Sequence, residues 1–201
     1  MKIILHLKFF YRIFRYFLSS TKRYSFLLLS IYRQRPKSII EIGVYNGNRA
    51  VELIETAKIF HNDIKYYGFD LFEDFYNSKN IINKELSKFP LSKKNIEKKL
   101  EKYSNINLLK GNTIKTLPKF IKKNKNVDFV FIDGGHSVST IQSDWSSIKK
   151  IISKKSLVIF DDYYEIKKNI FNKYFFNKII NSLNRRVYKY KKFFLGDNFY
   201  D

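Results

Sequence analysis

The sequence contains no cysteine. That excludes a disulfide framework, a zinc ribbon and a thiolate nucleophile, and it is in keeping with a reducing compartment, the cytoplasm being the expected one. Long uncharged runs are missing too. The longest apolar stretch near the N-terminus, Tyr24 to Tyr32, falls well short of the roughly 20 residues that a bilayer-spanning helix needs. A cleavable leader is not expected, because basic residues interrupt the apolar region and no small-residue cleavage site follows. Acids are scarce: 18 Asp and Glu stand against 39 Lys and Arg, a formal net charge of +21. Nucleic acid, anionic lipid or an acidic substrate would each answer that imbalance. The lysines are nevertheless spread over expected helix faces and loops (Lys93, Lys94, Lys122, Lys123, Lys149, Lys150), and Lys, Ile, Asn, Phe and Tyr all have AT-rich codons. Solvated faces and codon usage account for the larger share of the charge.

What is present points to one folded α/β domain. The 201 residues are 44% hydrophobic and 18% aromatic, enough for a substantial core, with no internal repeat and no low-complexity linker. Residues 1–35 form a basic, aromatic, amphipathic helical extension in which Lys8, Arg12 and Arg15 share one helical face. Such a helix caps a sheet, makes a dimer contact or lies on an anionic membrane surface, and the first two readings are the plainer ones.

From residue 36 to 201 the pattern is a strand–helix alternation. Strands are expected at Ser38–Gly43, Ile64–Asp70, Asn105–Gly111, Val127–Asp133 and Leu157–Asp162, with helices at 48–60, 114–123, 138–152 and 166–183. Residues 71–104 form a longer, polar, lid-like insertion with helical stretches at 81–88 and 93–103. Unbroken apolar strands of this kind are buried on both faces. The expectation is therefore a doubly wound, mostly parallel, Rossmann-like sheet. After Leu183 only Val187–Leu195 reads as a strand, so the closing hairpin is short or incomplete, and a partner subunit of a homodimer could supply the missing wall.

Ligands of such sheets bind at the carboxyl ends of the strands, where strand order reverses. Four of the five expected ends carry an acid: Glu41, Asp70, Asp133 and the Asp161–Asp162 pair. Helix capping would explain one or two of them, but four in succession suggest a site. The stretch Glu41-Ile-Gly-Val-Tyr-Asn-Gly47 runs from a strand through a glycine turn into a helix. Gly43 and Gly47 permit close approach of backbone to ligand. The spacing is not G-x-G-x-x-G and the turn holds no basic residue, which argues against a pyrophosphate. Asp70, 23 residues after Gly47, stands where an acid accepts hydrogen bonds from ribose hydroxyls. Together they point to an adenosine-containing cofactor.

The segments EIGVYNG, YGFDLF, LKGNTIKTLP, VFIDGGHS and LVIFDDY, in register over about residues 35–165, resemble the class I S-adenosylmethionine-dependent methyltransferases. Among these they are most similar to the macrocin/sugar O-methyltransferase-like and cephalosporin hydroxylase-like group. The resemblance implies that Glu41 and Gly43 lie by the methionine part of the cofactor and that Asp70 holds its ribose. It also implies that the Gly111-Asn112-Thr113 turn approaches the adenine, although the family more often has Asp at the position of Asn112. Asp133 joins the cofactor-binding set, and with Asp161 and Asp162 it forms a second constellation of carboxylates that a cation would neutralise. Oxygen-only ligands suit Mg²⁺, which would hold two neighbouring hydroxyls and lower the pKa of the attacking one. His136, three residues past Asp133, stands where similar enzymes keep the base that takes the substrate proton. Tyr163 and Tyr164 are weaker candidates for substrate walls. The expected reaction is O-methylation of a small hydroxylated substrate such as a sugar or glycan. The rival is a protein that keeps the fold and uses its charge to bind nucleic acid or a membrane surface. Neither an appended RNA-binding module nor an Asn/Asp-Pro-Pro-aromatic motif occurs.

Overall fold

The computed structural model describes residues 2–77, 89–135 and 137–161, apart from the side chains of Tyr76, Asn77 and Val138. The chain opens with two helices, α1 (Lys2–Phe17) and α2 (Arg23–Gln34), and then alternates strand and helix. These are β1 (Ser38–Ile42), α3 (Asn48–Ala57), β2 (Lys65–Asp70), a 3₁₀ turn at Phe72–Asn77, and α4 (Lys93–Leu100). β3 (Ile106–Lys110), α5 (Thr113–Phe120), β4 (Val127–Ile132), α6 (Val138–Ile148) and β5 (Ile152–Phe160) complete the described part. The five strands form one all-parallel sheet in the order β3-β2-β1-β4-β5. This is the Rossmann-like architecture expected from the sequence. The expected helix at 166–183, the helical stretch at 81–88 and the closing hairpin lie outside the described residues.

Alternation along each strand sorts side chains into two cores. Ile39, Tyr66, Phe129, Phe131, Leu157 and Ile159 face α1–α4, packing on Phe9, Leu27, Leu28, Ile31, Leu53, Ile96 and Leu100. Ile40, Ile42, Phe69, Val130, Ile132 and Val158 face α5 and α6, packing on Leu117, Phe120, Trp145 and Ile148. The N-terminal helices are thus built into the main core. Leu27, Leu28 and Ile31 of α2 are fully buried in it.

The basic face of α1 turns inward. Lys8 and Arg12 donate to Glu55 of α3 at 3.0 and 2.5 Å, Arg15 donates to Glu52 at 3.1 Å, and Tyr16 Oη donates to Glu52 at 2.7 Å. Glu52 and Glu55 are buried, and these partners compensate their charge. The Lys8/Arg12/Arg15 stripe is therefore the α1–α3 joint, the sheet-capping role among those expected of it.

β5 begins earlier than the apolar run Leu157–Phe160 suggests. Ile152 pairs with Val127, but the next pair is Phe129 with Leu157, so Ser153–Ser156 bulge out of the ladder. Ser156 Oγ donates to the Val127 carbonyl at 2.6 Å, and this bond anchors a stretch whose two lysines face solvent. Among the described residues no helix is long and apolar enough to cross a membrane.

Candidate active site

Strand order reverses between β1 and β4, and their carboxyl ends frame a cavity of about 400 Å³. Its floor is Glu41, Gly43, Asp70, the Gly111-Asn112-Thr113 turn and Asp133, all anticipated from the sequence. They come from four strand ends, and the ladders extend past the strands to hold them. Gly43 N–H donates to the Phe69 carbonyl, Gly111 N–H to that of Asp70 and Asp133 N–H to that of Ile42, each at 2.8–2.9 Å.

Gly43 has φ +93°, and a Cβ there would collide with the Asp133 carbonyl, so the β1 turn lies directly against the β4 end. Gly47 has φ +72° and caps α3, but it does not line the cavity. A Cβ on it would press on Ile96 of α4 at 3.1 Å. Its place in the fold is a helix-packing contact rather than one of the cavity walls. Gly68, opposite Glu41 in the β1–β2 register, is a third required glycine: a Cβ would meet Val44 and Leu108 at 2.8 and 2.9 Å.

Glu41 is fully buried. Its Oε2 accepts a hydrogen bond from Tyr66 Oη, and its Oε1 is buried with no hydrogen-bond partner, on a residue that lines the cavity. Burial pushes its carboxyl up to about 8, against the pull of the Tyr66 hydrogen bond and the Arg49 charge. An acceptor left unsatisfied at this depth fits a ligand that brings its own donor, and an ammonium group fits best. Asp70 accepts from Tyr45 N–H at 2.7 Å and Phe72 N–H at 3.2 Å. Burial raises its carboxyl, and the backbone N–H groups of residues 44, 45, 71 and 72 pull it back down. The carboxylate thereby ties the β1 turn to the β2 end. Asn112 accepts from Ile114 N–H at 2.9 Å and so caps α5 while also lining the cavity.

The upper wall comes from residues that the motif reading did not single out. Tyr16 closes α1, Arg23 and Tyr24 open α2, and Arg49 lies in the first turn of α3. The Arg49 guanidinium stacks on the Tyr24 ring at 3.4 Å, donates to Tyr16 Oη at 3.0 Å and pairs with Glu52. Only Arg49 carried a sequence signal, a cation just after the glycine turn. The two tyrosines arrive through the packing of the N-terminal helices, which no local pattern announces. At the far end Leu71, Phe75 and Pro90 make an apolar wall beside the Gly111 turn.

Asp161, at the end of β5, has both carboxylate oxygens held by Nε of the cavity-lining Arg23 at 3.0 and 3.1 Å. His136 and Asp162 lie outside the described residues, as do Tyr163 and Tyr164. Among the described residues no three His, Cys, Asp or Glu side chains come together as a metal-binding group. Of the three carboxylates expected to hold Mg²⁺, Asp133 lines the cavity, Asp161 is paired with the Arg23 guanidinium and Asp162 lies outside the described residues.

Residues 40–163 match the profile of a methyltransferase domain family, a span that contains both glycine-turn and strand-end residues. The chain belongs to that methyltransferase family. It is an S-adenosylmethionine-dependent enzyme of the class I fold, in agreement with the resemblance read from its motifs. No curated protein sequence matches it. Among solved structures the methyltransferase is similar to TomG of Streptomyces achromogenes, an O-methyltransferase involved in tomaymycin synthesis, solved with S-adenosylmethionine. The identity is 14%, over 81% of this chain and 70% of that one, with a TM-score of 0.56. It is also similar to CalS11, a TDP-rhamnose 3′-O-methyltransferase of calicheamicin biosynthesis, at 19% identity over 81% and 72% of the two chains and a TM-score of 0.54. At these identities the likeness shows the fold of the methyltransferase, not its substrate.

Proposed function

We propose that the methyltransferase transfers the methyl group to a hydroxyl of a small substrate such as a sugar or glycan. The observation that carries this reading is the pairing of an orphaned buried carboxylate oxygen on Glu41 with a polar, aromatic wall of Tyr16, Tyr24 and Arg49 across one cavity. The cofactor supplies an electrophilic methyl on a sulfonium. Glu41 receives its ammonium group, Asp70 its ribose hydroxyls and the Gly111-Asn112-Thr113 turn its adenine. Hydrogen-bonding walls above the sulfonium suit a hydroxylated acceptor, held in line for displacement. His136 would take the acceptor's hydroxyl proton as the methyl passes from the sulfonium sulfur to that oxygen, and its three-residue offset from cavity-lining Asp133 supports that role. Both relatives named above are described as O-methyltransferases, one of them acting on a nucleotide sugar.

Calorimetry with S-adenosylhomocysteine tests the cofactor half. Wild type is expected to bind, with Glu41→Gln and Asp70→Ala each at least ~10-fold weaker, a loss typical of removing a charged hydrogen bond. No heat from the wild type would remove the reading altogether. The acceptor half is tested by transfer of labelled methyl to free sugars, nucleotide sugars and amine controls. Label appearing on nitrogen alone would replace a hydroxyl acceptor with an amine.

A further inference from the structure

The outer surface of α1 is apolar. Ile3, Leu7, Phe10, Phe14 and Phe17 are all more than half exposed and recur at four- and three-residue steps along one side of the helix. Ile4, Tyr11 and Leu18, equally exposed, lie beside them. At about 100° per residue these eight side chains cover an arc of roughly 140°. The inward faces of α1 and α2 are already committed, the basic one to Glu52 and Glu55 and the apolar one to the core. The outward stripe is therefore surplus to the fold.

Charge selects the occupant. Residues 1–40 hold nine Lys and Arg and no Asp or Glu. Lys8 and Arg15, about half exposed, border the stripe, and Lys2 and Lys22 stand exposed at its two ends. A second copy would bring the same cations against them with no acid to answer, and the arc is broader than a coiled-coil seam. Residues 162–201 carry nine Lys and Arg against four Asp and Glu, so by charge they do not complement it either. An anionic phospholipid surface does. Its acyl boundary accepts aromatic and aliphatic side chains while its headgroups neutralise the flanking cations.

We propose that α1 seats the methyltransferase on an anionic bilayer, its apolar stripe sunk to the headgroup boundary and the exposed Lys2 and Lys22 at its ends set against the lipid phosphates. The seat adjoins the site: Tyr16, one residue before exposed Phe17, lines the cavity. An acceptor presented at a membrane surface would meet the active site there.

The test uses the full chain in flotation with vesicles of phosphatidylcholine alone and with about one-third phosphatidylglycerol. Wild type is expected to float with the anionic vesicles and to be left behind by the zwitterionic ones. Phe10→Glu and Phe14→Glu should each lower the bound fraction at least ~10-fold while leaving the circular dichroism and the melting temperature unchanged. Because the chain has no cysteine, Phe14→Cys can carry a single environment-sensitive fluorophore. Its emission should shift to the blue on anionic vesicles, and a label at Lys122→Cys, exposed just beyond α5, should not respond. Equal flotation on both vesicle types, no flotation, or unaltered flotation of the glutamate variants overturns the proposal. A concentration-dependent dimer that Phe14→Glu dissociates, without vesicle binding, would assign the stripe to a second copy instead.

Discussion

Two residues of the site are governed by what surrounds a single side chain. Gly43 combines a positive φ with backbone of the neighbouring strand turn where a Cβ would go, so Gly43→Ala has neither conformational nor steric room. It is expected to cost about 3 kcal/mol or to prevent folding, measurable by urea unfolding. A loss below about 0.5 kcal/mol would show that the β1 turn does not press on Asp133. Glu41 is the second case. Its folded-state pKa, about 8, lies above the unfolded value of 4.5, so the native state binds the extra proton. The associated stability is fully present below pH 4.5 and is lost as pH rises through 8. Glu41→Gln should remove that slope, leaving the cofactor-free variant more stable than wild type at pH 9 by a few kcal/mol while weakening cofactor binding. Parallel melting curves of the two proteins across that window would contradict a desolvated carboxyl.

At the scale of elements, two buried acids join helices to one another. Glu52 of α3 gathers Arg12 and Arg15 from α1, Arg49 from its own helix and the Tyr16 hydroxyl. Removing it leaves the Arg15 and Arg49 guanidinium groups without their shared counter-charge, Arg12 keeping only Glu55, so Glu52→Ala is expected to cost about 3 kcal/mol in denaturant unfolding. Loss of cofactor binding should follow, since Tyr16 and Arg49 are cavity walls; a change under 1 kcal/mol would mean that apolar packing alone docks α1. Asp144 of α6 behaves differently. Burial lifts its carboxyl to about 6, with Thr113 of α5 pulling it the other way, and its Oδ1 has no partner. The folded value again exceeds the unfolded one, so stability falls as pH rises from about 4 through 6. Asp144→Asn should flatten that limb and raise the melting temperature at pH 8. An unchanged pH profile would show that Asp144 titrates as an exposed acid does.

At the scale of the whole molecule, the balance of a sparse acid set against many cations decides which ions the site needs. Arg23, carried in by α2, neutralises Asp161 at the end of β5. EDTA is therefore expected to leave the methyl-transfer rate within about two-fold, as a guanidinium replaces the charge compensation that a divalent ion would bring. A rate that collapses on chelation and returns with Mg²⁺ would restore the three-carboxylate metal reading. Three further cations, Lys8, Arg12 and Arg15 of α1, are likewise paired with the buried acids Glu52 and Glu55 of α3.

The amino-acid order by itself determined the elements and the rim of the site, because both rest on local facts. Apolar runs fixed five parallel strands, glycine turns followed β1 and β3, and acids fell at the strand ends, where the topology collects whatever side chains stand there. Tertiary structure alone decided the rest. Which face of α1 is buried depends on Glu52 and Glu55, which follow it by about forty positions in the chain. Tyr16, Tyr24 and Arg23 reach the cavity only because two N-terminal helices pack on α3. Ser153–Ser156 join β5 only because Ser156 finds the Val127 carbonyl. Gly47, read from its motif as a ligand contact, is needed where α4 crosses it. Periodicity reports which side of an element is apolar, but the partner that covers it is a matter of packing between segments remote in sequence, and that partner sets whether a charge is a ligand, a joint or a surface.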